Sequence, residues 1–213
     1  MKKLLSIILL LLISEAMVSQ TKDQKASALL DEVSAKTKSY KSVKVDFSYT
    51  MENKQAKVNE EKKGTLFISG DKYRLTAANQ IVICDGKTIW TYLEESNEVQ
   101  VNSVENKDDA LTPSKLLSSY NSNYKSRIIK DKRQVDPNIE TIELIPNTVK
   151  NFNKAVITVD KTKKQVRTFS LFDKSGNTFT YKISRYQTDL PVSNSDFSFD
   201  KTKYPGVEVI DMR

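Results

Sequence analysis

The stretch Val43-Lys-Val-Asp-Phe-Ser-Tyr-Thr-Met51 indicates the fold class, because apolar and polar residues alternate along its whole length. A period of two residues places successive side chains on opposite faces of a β-strand. The five apolar residues of the stretch therefore share one face, and they are Val43, Val45, Phe47, Tyr49 and Met51. We predict a strand that turns one face to an apolar interior and the other to water.

Further short segments of this kind follow, and polar turns separate them. The polar stretch 52–63 is interpreted as a turn or loop. Asp85-Gly86 predicts a tight turn between strands 81–84 and 88–93, because this dipeptide before a β-rich run favours a hairpin. Phe197 and Phe199 also alternate and indicate a strand. Roughly ten strands at hairpin spacing predict an antiparallel sheet that curls or closes.

Two segments break the strand pattern and predict helices. Apolar residues recur at Leu29, Leu30, Val33 and Tyr40, the spacing of one helix face, which predicts a helix over 26–40. Pro113 suits the first position of a second short helix over 113–120. An ordinary core helix has the same pattern as a helix that covers a cavity, so both interpretations stay open. Strands and helices together predict a single, mainly β (α+β) domain.

The first residues have the layout of a secretory signal peptide. Lys2 and Lys3 precede an apolar run over 4–13, and small residues follow at 14, 16 and 19. This run is shorter than the roughly 20 residues of a membrane-spanning helix. We expect residues 1–20 to be a signal peptide that is cleaved between 16 and 20, and residues 21–213 to be the free mature domain. An uncleaved membrane anchor is the alternative.

The composition argues against several classes of site. The chain has no histidine, and its single cysteine, Cys84, cannot close an intramolecular disulfide. Its five glycines are too scattered for a phosphate-binding loop. The formal net charge of +7 arises from basic residues interleaved with acids, which predicts no nucleic-acid partner but allows a transient contact with anionic membranes. We expect no cofactor and no metal.

Two segments resemble the LolA family of periplasmic lipoprotein carriers. The stretch Ile81-Val-Ile-Cys-Asp-Gly-Lys-Thr-Ile-Trp-Thr-Tyr92 is similar to the family's Asp-Gly-Lys-Thr-aliphatic-Trp-x-Tyr hairpin. The stretch Gly64-Thr-Leu-Phe-Ile-Ser-Gly-Asp-Lys-Tyr-Arg74 is similar to the segment after the family's first strand. The opening helix, Pro113-Ser-Lys-Leu-Leu117 and Phe197-Ser-Phe199 also fit. The resemblance therefore spans nearly the whole mature chain.

The resemblance implies an incompletely closed antiparallel β-barrel, or strongly curved sheet, under a helical lid. Carriers of this family take acylated lipoproteins from an inner-membrane exporter, cross the periplasm and deliver them to an outer-membrane acceptor. They perform no chemistry, so we expect that the protein is not an enzyme. We also expect a monomer. Two departures stand out: Ser69-Gly70-Asp71 replaces the Arg-Pro turn that holds the lid closed in many relatives, and Tyr73-Arg74-Leu75 replaces a Phe-x-Trp of the cavity.

The alternating strands and the resemblance together nominate an apolar cavity for acyl chains. Burial of acyl carbon gains about 0.8 kcal/mol per CH₂, so apolar walls suffice. The candidate ligand-binding residues are Val45, Phe47, Tyr49, Met51, Leu66, Ile68, Tyr73, Leu75, Phe179, Tyr181 and Ile183. The candidate lid residues are Leu29, Leu30, Val33, Leu116 and Leu117. Each of them could instead fill a dry core, since side chains fill most small barrels.

Three other functions compete with the carrier. The first is a lipid-binding relative of the same fold, a LolB-like acceptor or an RseB-like sensor, but we expect neither an acylated cysteine nor a second domain here. The second is a hydrolase with paired carboxylates, Glu94 with Glu95 or Asp108 with Asp109. Adjacent residues on a strand point to opposite faces, which argues against such a pair. The third is an interaction protein with a filled barrel.

Overall fold

The computed structural model describes residues 23–104, 124–131, 134–148 and 152–213. The described part of its helix, α1, spans residues 23–39. Its strands are β1 (Val43–Asn53), β2 (Val58–Ser69), β3 (Lys72–Ala77), β4 (Gln80–Cys84), β5 (Thr88–Leu93), β6 (Glu98–Ser103), β7 (Tyr124–Ile128), β8 (Ile139–Pro146), β9 (Phe152–Asp160), β10 (Gln165–Asp173), β11 (Asn177–Thr188) and β12 (Glu208–Asp211). Turns of 3₁₀ helix at Asn194–Phe197 and Lys201–Lys203 precede β12.

The twelve described strands form one sheet in the order β12-β6-β5-β4-β3-β2-β1-β11-β10-β9-β8-β7. Two antiparallel meanders meet where β1 pairs with β11, and β12 runs parallel to β6. Because β7 and β12 stand at opposite edges of the described sheet and do not pair, the curved sheet is not closed. The prediction of a mainly β, incompletely closed antiparallel sheet is confirmed.

The hairpin predicted at Asp85-Gly86 is confirmed. β4 and β5 pair antiparallel on either side of it, with Cys84 opposite Ile89. The Asp85 carboxylate accepts hydrogen bonds from the backbone N–H groups of Lys87 and Thr88, both at 2.8 Å. Gly86 has a φ of +96°, a backbone conformation that residues with a side chain rarely adopt. This local chemistry fixes the turn and therefore the register of the pair.

The turn or loop predicted over 52–63 is confirmed only at residues 54–57, because β1 and β2 extend into the stretch from both sides as one long hairpin. The two strands pair from Val43 and Ile68 as far as Asn53 and Val58. β1 also pairs with β11 as far as Asn53, so neighbouring strands support it on both sides. Residues 59–63 are exposed, and charged side chains cost little in an exposed strand. This part of β2 is therefore held as a strand by its pairing with β1, and not by burial of alternating apolar residues.

Two other strand assignments differ from the prediction. Residues 124–128 form β7, which the sequence pattern did not indicate. Phe197 lies in a 3₁₀ turn and not in a strand. The backbone N–H of Ser193 donates to the Asp196 carboxylate at 2.7 Å, and the backbone N–H of Asp196 donates back to the Ser193 carbonyl at 3.1 Å. These local bonds favour the turn over an extended chain.

Apolar side chains pack on both faces of the sheet. The face toward α1, here called the inner face, shares one buried cluster with the helix. On the outer face the segment after β11 forms a second packed layer, in which the rings of Phe67 and Phe197 lie 5.3 Å apart. Arg74 fastens this segment, since its Nε donates to the Asp196 carbonyl at 2.7 Å. The outer layer thus contacts β2, β3 and β5.

The two predicted helices have different outcomes. The helix predicted over 26–40 is present as α1. The helix predicted over 113–120, with Leu116 and Leu117, lies outside the described residues. Within the described ranges, no helix is both long enough and apolar enough to cross a membrane.

Candidate functional site

The pairing of β1 with β11 brings the central candidate residues together on the inner face. The residues opposite each other are Phe47 and Ile183, Tyr49 and Tyr181, and Met51 and Phe179. A bulge at Ser184 inserts one extra residue, and the Ser184 hydroxyl donates to the Asp46 carbonyl at 3.0 Å. The bulge keeps Tyr186 on the same face as Ile183, so inward-facing residues follow one another along the length of β11.

One end of the inner face is covered by α1. Val43, Val45, Ile68 and Tyr73 are between 2% and 8% exposed there, and we call these four residues the covered end. The helix packs Leu29, Leu30 and Val33 into the same cluster. An ion pair joins Glu32 of α1 to Lys164, and Tyr186 shares a hydrogen bond with Thr37. The covered end is a dry core under a firmly attached helix.

The other end of the inner face is less buried. Along β1, Phe47 is only 7% exposed, whereas Tyr49 and Met51 are half-buried. Their partners on β11, Tyr181 and Phe179, are also half-buried. We call Tyr49, Met51, Phe179 and Tyr181 the open end. A ligand can therefore reach apolar surface here without displacing the covered end.

The aromatic rings of the open end pack against each other. The Tyr49 ring lies 5.0 Å from the Tyr181 ring and 6.3 Å from the Phe179 ring, measured between centroids. The Tyr49 and Phe179 rings are nearly parallel, at 17°. Centroid separations of 4.5 to 7 Å are typical of favourable aromatic pairs. The open end is thus a pre-ordered apolar shelf.

The open end keeps its two phenols neutral. Burial, and to a smaller extent the neighbouring Tyr49, raises the pKa of Tyr181 to about 12. Burial, and then the negative charge of Glu60, raises the pKa of Tyr49. Charged side chains lie at the rim formed by β2, where exposed Lys62 is opposite Tyr49 and exposed Glu60 is opposite Met51. The shelf itself is suited to an uncharged, apolar ligand.

Gly64 of β2 separates the covered end from the open end. It lies opposite Phe47, and a Cβ at this position would be 2.6 Å from Cζ of the Phe47 ring and 2.7 Å from the Thr76 carbonyl oxygen. Both separations are far shorter than a van der Waals contact, so only glycine fits. Because Gly64 has no side chain, the Phe47 ring can lie against the backbone of β2 at the edge of the buried core.

The structure divides the candidate residues into two groups by burial. The buried candidates are Val45, Phe47, Leu66, Ile68, Tyr73 and Ile183, together with the lid candidates Leu29, Leu30 and Val33. The half-buried candidates are Tyr49, Met51, Leu75, Phe179 and Tyr181. Burial does not identify an acyl-binding residue, so the binding and lid roles stay predictions. The half-buried group matches the accessibility that a ligand requires.

Sequence reasoning missed two residues that belong to the same surface. Leu171 of β10 and Val82 of β4 are half-buried and pack against the inner cluster. Leu171 lies opposite Phe179, next to the open end. A bulge between Val166 and Thr168 shifts the alternation along β10, which hides the face to which Leu171 belongs. Val82 has apolar neighbours on both sides in sequence, so alternation cannot assign its face.

Two described grooves lie away from the open end. The larger, about 590 Å³, is lined mainly by hydroxyl and charged side chains of β1, β2, β3 and β11. The smaller, about 230 Å³, lies between β3 and the segment after β11, and Arg74, Asp196 and Asp200 line it. In the described ranges no cluster of three or more potential ligands for a metal occurs.

An open, curved antiparallel sheet with a helix packed on its inner face and accessible apolar surface beside it defines the class of incompletely closed β-barrels. The family follows from the sequence: the profile described as "Outer membrane lipoprotein carrier protein LolA" matches residues 38–200. The chain belongs to this family, whose outer-membrane lipoprotein carriers are periplasmic, and it is a periplasmic protein.

Individual relatives agree with the family. The chain is 30% identical over 175 residues to an outer-membrane lipoprotein carrier protein of Pasteurella multocida, covering 79% of this chain and 80% of the relative. It is 24% identical over 131 residues to a protein of the same name from Coxiella burnetii, and it spans only 60% of that relative's length. An uncharacterized conserved protein from Thermus thermophilus shares the fold, with a TM-score of 0.56, 12% identity, and coverage of 88% of this chain and 99% of that one.

Proposed function

We propose that this chain carries lipoproteins across the periplasm by shielding their acyl chains on the open end of its inner face. The observation that supports the proposal is the change in burial along β1, from Val45 at 2% exposed to half-buried Tyr49 and Met51. A protein that merely filled its barrel would gain by burying these apolar side chains fully. The chain leaves them accessible beside a completed core.

The energetics of the shelf suit transport. Burial of acyl carbon gains about 0.8 kcal/mol per CH₂, so one chain of ordinary length gains on the order of 10 kcal/mol before ordering costs. Tyrosine hydroxyls at the open end reduce this gain compared with a purely hydrocarbon wall. Moderate affinity allows the cargo to be handed on, and no bond needs to be made or broken. We accordingly propose a carrier without catalytic activity.

The remaining parts of the proposal come from the family. We infer that residues 1–20 direct export and are removed, and that residues 21–213 form the carrier domain. We further infer an inner-membrane exporter as donor and an outer-membrane acceptor as recipient. In this proposal α1 is the fixed part of the cover, because its apolar residues Leu30 and Val33 are fully buried.

The proposal is tested by a charge placed on the shelf. Met51→Lys puts an ammonium among the open-end side chains, where it repels acyl chains but can still reach water. We expect the variant to fold and to release far less acylated lipoprotein from inner-membrane vesicles than the native protein releases. Thr50→Lys is the matched control, since Thr50 is half-buried on the opposite face of the same strand. Normal release by folded Met51→Lys would remove the open end from the proposal.

A further inference from the structure

Part of β2 has a free edge beside the open end. β2 pairs with β1 as far as Val58, but its pairing with β3 covers only Gly64 to Ser69. Among the described strands, none pairs with the β3 side of residues 58–63, and residues 59–63 are exposed. Backbone N–H and C=O groups on an unpaired strand edge are available to an incoming strand. We call residues 58–63 the β2 edge.

We propose that the β2 edge binds the extended peptide segment that follows the acylated residue of the cargo. The bound peptide would form an antiparallel strand in line with β3, which ends at Ala77 opposite Gly64. This inference rests on the proposed function, because the acyl chains must occupy the open end for the peptide to reach the edge. It assigns to the carrier a second contact with its cargo, made through the backbone.

The geometry allows both contacts at once. Neighbouring strands lie about 4.8 Å apart, so a peptide on the β2 edge would be about 10 Å from β1. Lys62 and Glu60 of the edge lie directly opposite Tyr49 and Met51 of the open end. The peptide leaving an acylated residue on the shelf has only to cross β2. Two weak contacts to covalently joined parts of one ligand reinforce each other.

The chemistry of the edge fits a polar peptide of mixed charge. Its inner side presents Glu60 and Lys62, and its outer side presents Glu61 and Lys63, so each face offers one acid and one base. Behind it lies the groove of about 590 Å³, to which Glu61, Lys63 and Thr76 contribute. Side chains on the outer side of a bound strand would enter this groove. Polar side chains of either sign find a partner, whereas an apolar strand does not.

A second copy of the chain is the competing occupant of the same edge. Two identical edges that pair antiparallel are related by a twofold axis, which sets one residue opposite itself. Every residue from Glu60 to Lys63 is charged, so a register centred there places one pair of like charges at its centre, and registers centred on Glu61 or Lys62 add two Glu–Lys pairs beside it. Like charges directly opposite destabilise a strand pair, and opposite charges stabilise it. The ligand-free oligomeric state is therefore one of the outcomes that the test must read.

Two synthetic triacylated lipopeptides with identical lipids test the inference. One continues into a long polar peptide with alternating acidic and basic residues, and the other ends directly after the acylated residue. We expect the native protein to bind the long lipopeptide at least about tenfold more tightly than the short one. When the bases of the long peptide are replaced by glutamine, the double variant Lys62→Glu with Lys63→Glu should lose most of this preference, because an all-acidic edge repels the remaining acids and no base offsets the repulsion. Lys54→Glu with Lys57→Glu, at the exposed hairpin turn, is the matched control and should keep it.

Hydrogen exchange gives a readout that needs no variant. We expect the long lipopeptide, and not the short one, to slow amide exchange within residues 58–63. Equal binding of both lipopeptides without this protection would overturn the inference and leave the acyl carrier standing. Binding of neither lipopeptide would overturn both proposals. A ligand-free dimer that already protects the edge would also overturn the inference, since the occupant would be a second copy.

Discussion

The covered end and the open end of the inner face are built from the same strands but differ in what lies over them. Along β1, apolar residues alternate without a break, yet Val45 is 2% exposed and Met51 is half-buried. Across the sheet, Ile68 at the covered end is 8% exposed, whereas Lys62 beside the open end lies in the exposed part of β2. The difference lies in the cover, since α1 packs on the covered end.

This difference teaches how a small protein can keep apolar surface accessible without unfolding. The covered end belongs to one buried cluster that also includes α1 and the deeply buried residues of β8 and β9. The long pairing of β1 with β2 and β11 then holds the open end in place through backbone hydrogen bonds. In the proposed function, stability and ligand binding are therefore separated along one strand, with Phe47 and Gly64 at the boundary.

The largest expected effect is the contrast between one charge placed at each end. Val45→Lys buries an unpaired ammonium in the dry core, and we expect a loss of more than about 3 kcal/mol in the free energy of unfolding. Met51→Lys leaves its ammonium in reach of water, so we expect a loss below about 1 kcal/mol. Urea unfolding of both variants gives the two values. Comparable losses would mean that the open end is also a dry core.

The boundary gives the second prediction. Gly64→Ala drives a methyl group against the Phe47 ring and the Thr76 carbonyl, and we expect it to cost about 1–3 kcal/mol, as overpacking does. Adding Phe47→Leu should recover part of this loss, because it removes Cζ of the ring but leaves the carbonyl in place. A double-mutant cycle measures the recovery as a coupling energy, expected to exceed about 0.5 kcal/mol.

A second glycine serves as the control for the boundary. A Cβ at Gly70 would have no atom within 4 Å, but the φ of +58° at this position disfavours residues other than glycine. Gly70→Ala should therefore be destabilised by backbone strain alone and should show no coupling to Phe47→Leu. Additive losses in the Gly64 and Phe47 cycle would contradict the close approach at the boundary.

Much of the covered end can be predicted from the sequence, because its signals are local. The alternation from Val43 to Met51 indicates a strand, and the spacing of Leu29, Leu30 and Val33 indicates a helix. Asp85-Gly86 sets a turn by itself, through hydrogen bonds to residues two and three positions along the chain. These patterns and the family resemblance are sufficient for an open antiparallel sheet with a packed helix.

The open end is harder to predict, because its limits depend on contacts distant in sequence. The extension of β2 through Glu60 to Lys63 follows from pairing with β1, and a charged stretch resembles a loop when it is considered alone. The bulge at Ser184 determines the face of the sheet on which Tyr186 lies, and the residue types at this position do not predict a bulge. Periodicity places Val45 and Met51 on the same face of β1. It does not predict that Val45 is more buried than Met51, because the residues that cover Val45 come from elsewhere in the chain.

The smallest expected effect concerns the phenols of the two ends. Burial raises the pKa of Tyr73 at the covered end and of Tyr181 at the open end to about 12 in each case. A phenol whose pKa is higher in the folded state stabilises the fold fully below its unfolded pKa of about 10. That stability is lost as the pH rises through the folded pKa. We expect the free energy of unfolding to fall between about pH 10 and pH 12, and Tyr73→Phe and Tyr181→Phe each to reduce the fall.

An acyl ligand should separate these two ends in the same titration. A chain bound on the open end removes water from Tyr49, whose pKa burial and Glu60 already raise, and should raise it further. Tyr73 is only 5% exposed at the covered end, so its ionisation should not respond to the ligand. The measurement is the phenolate absorbance against pH, with and without a bound lipopeptide, taken as the difference between the native protein and Tyr49→Phe or Tyr73→Phe. A ligand that shifts Tyr73 as much as Tyr49, or leaves Tyr49 unchanged, would place the acyl chain somewhere other than the open end.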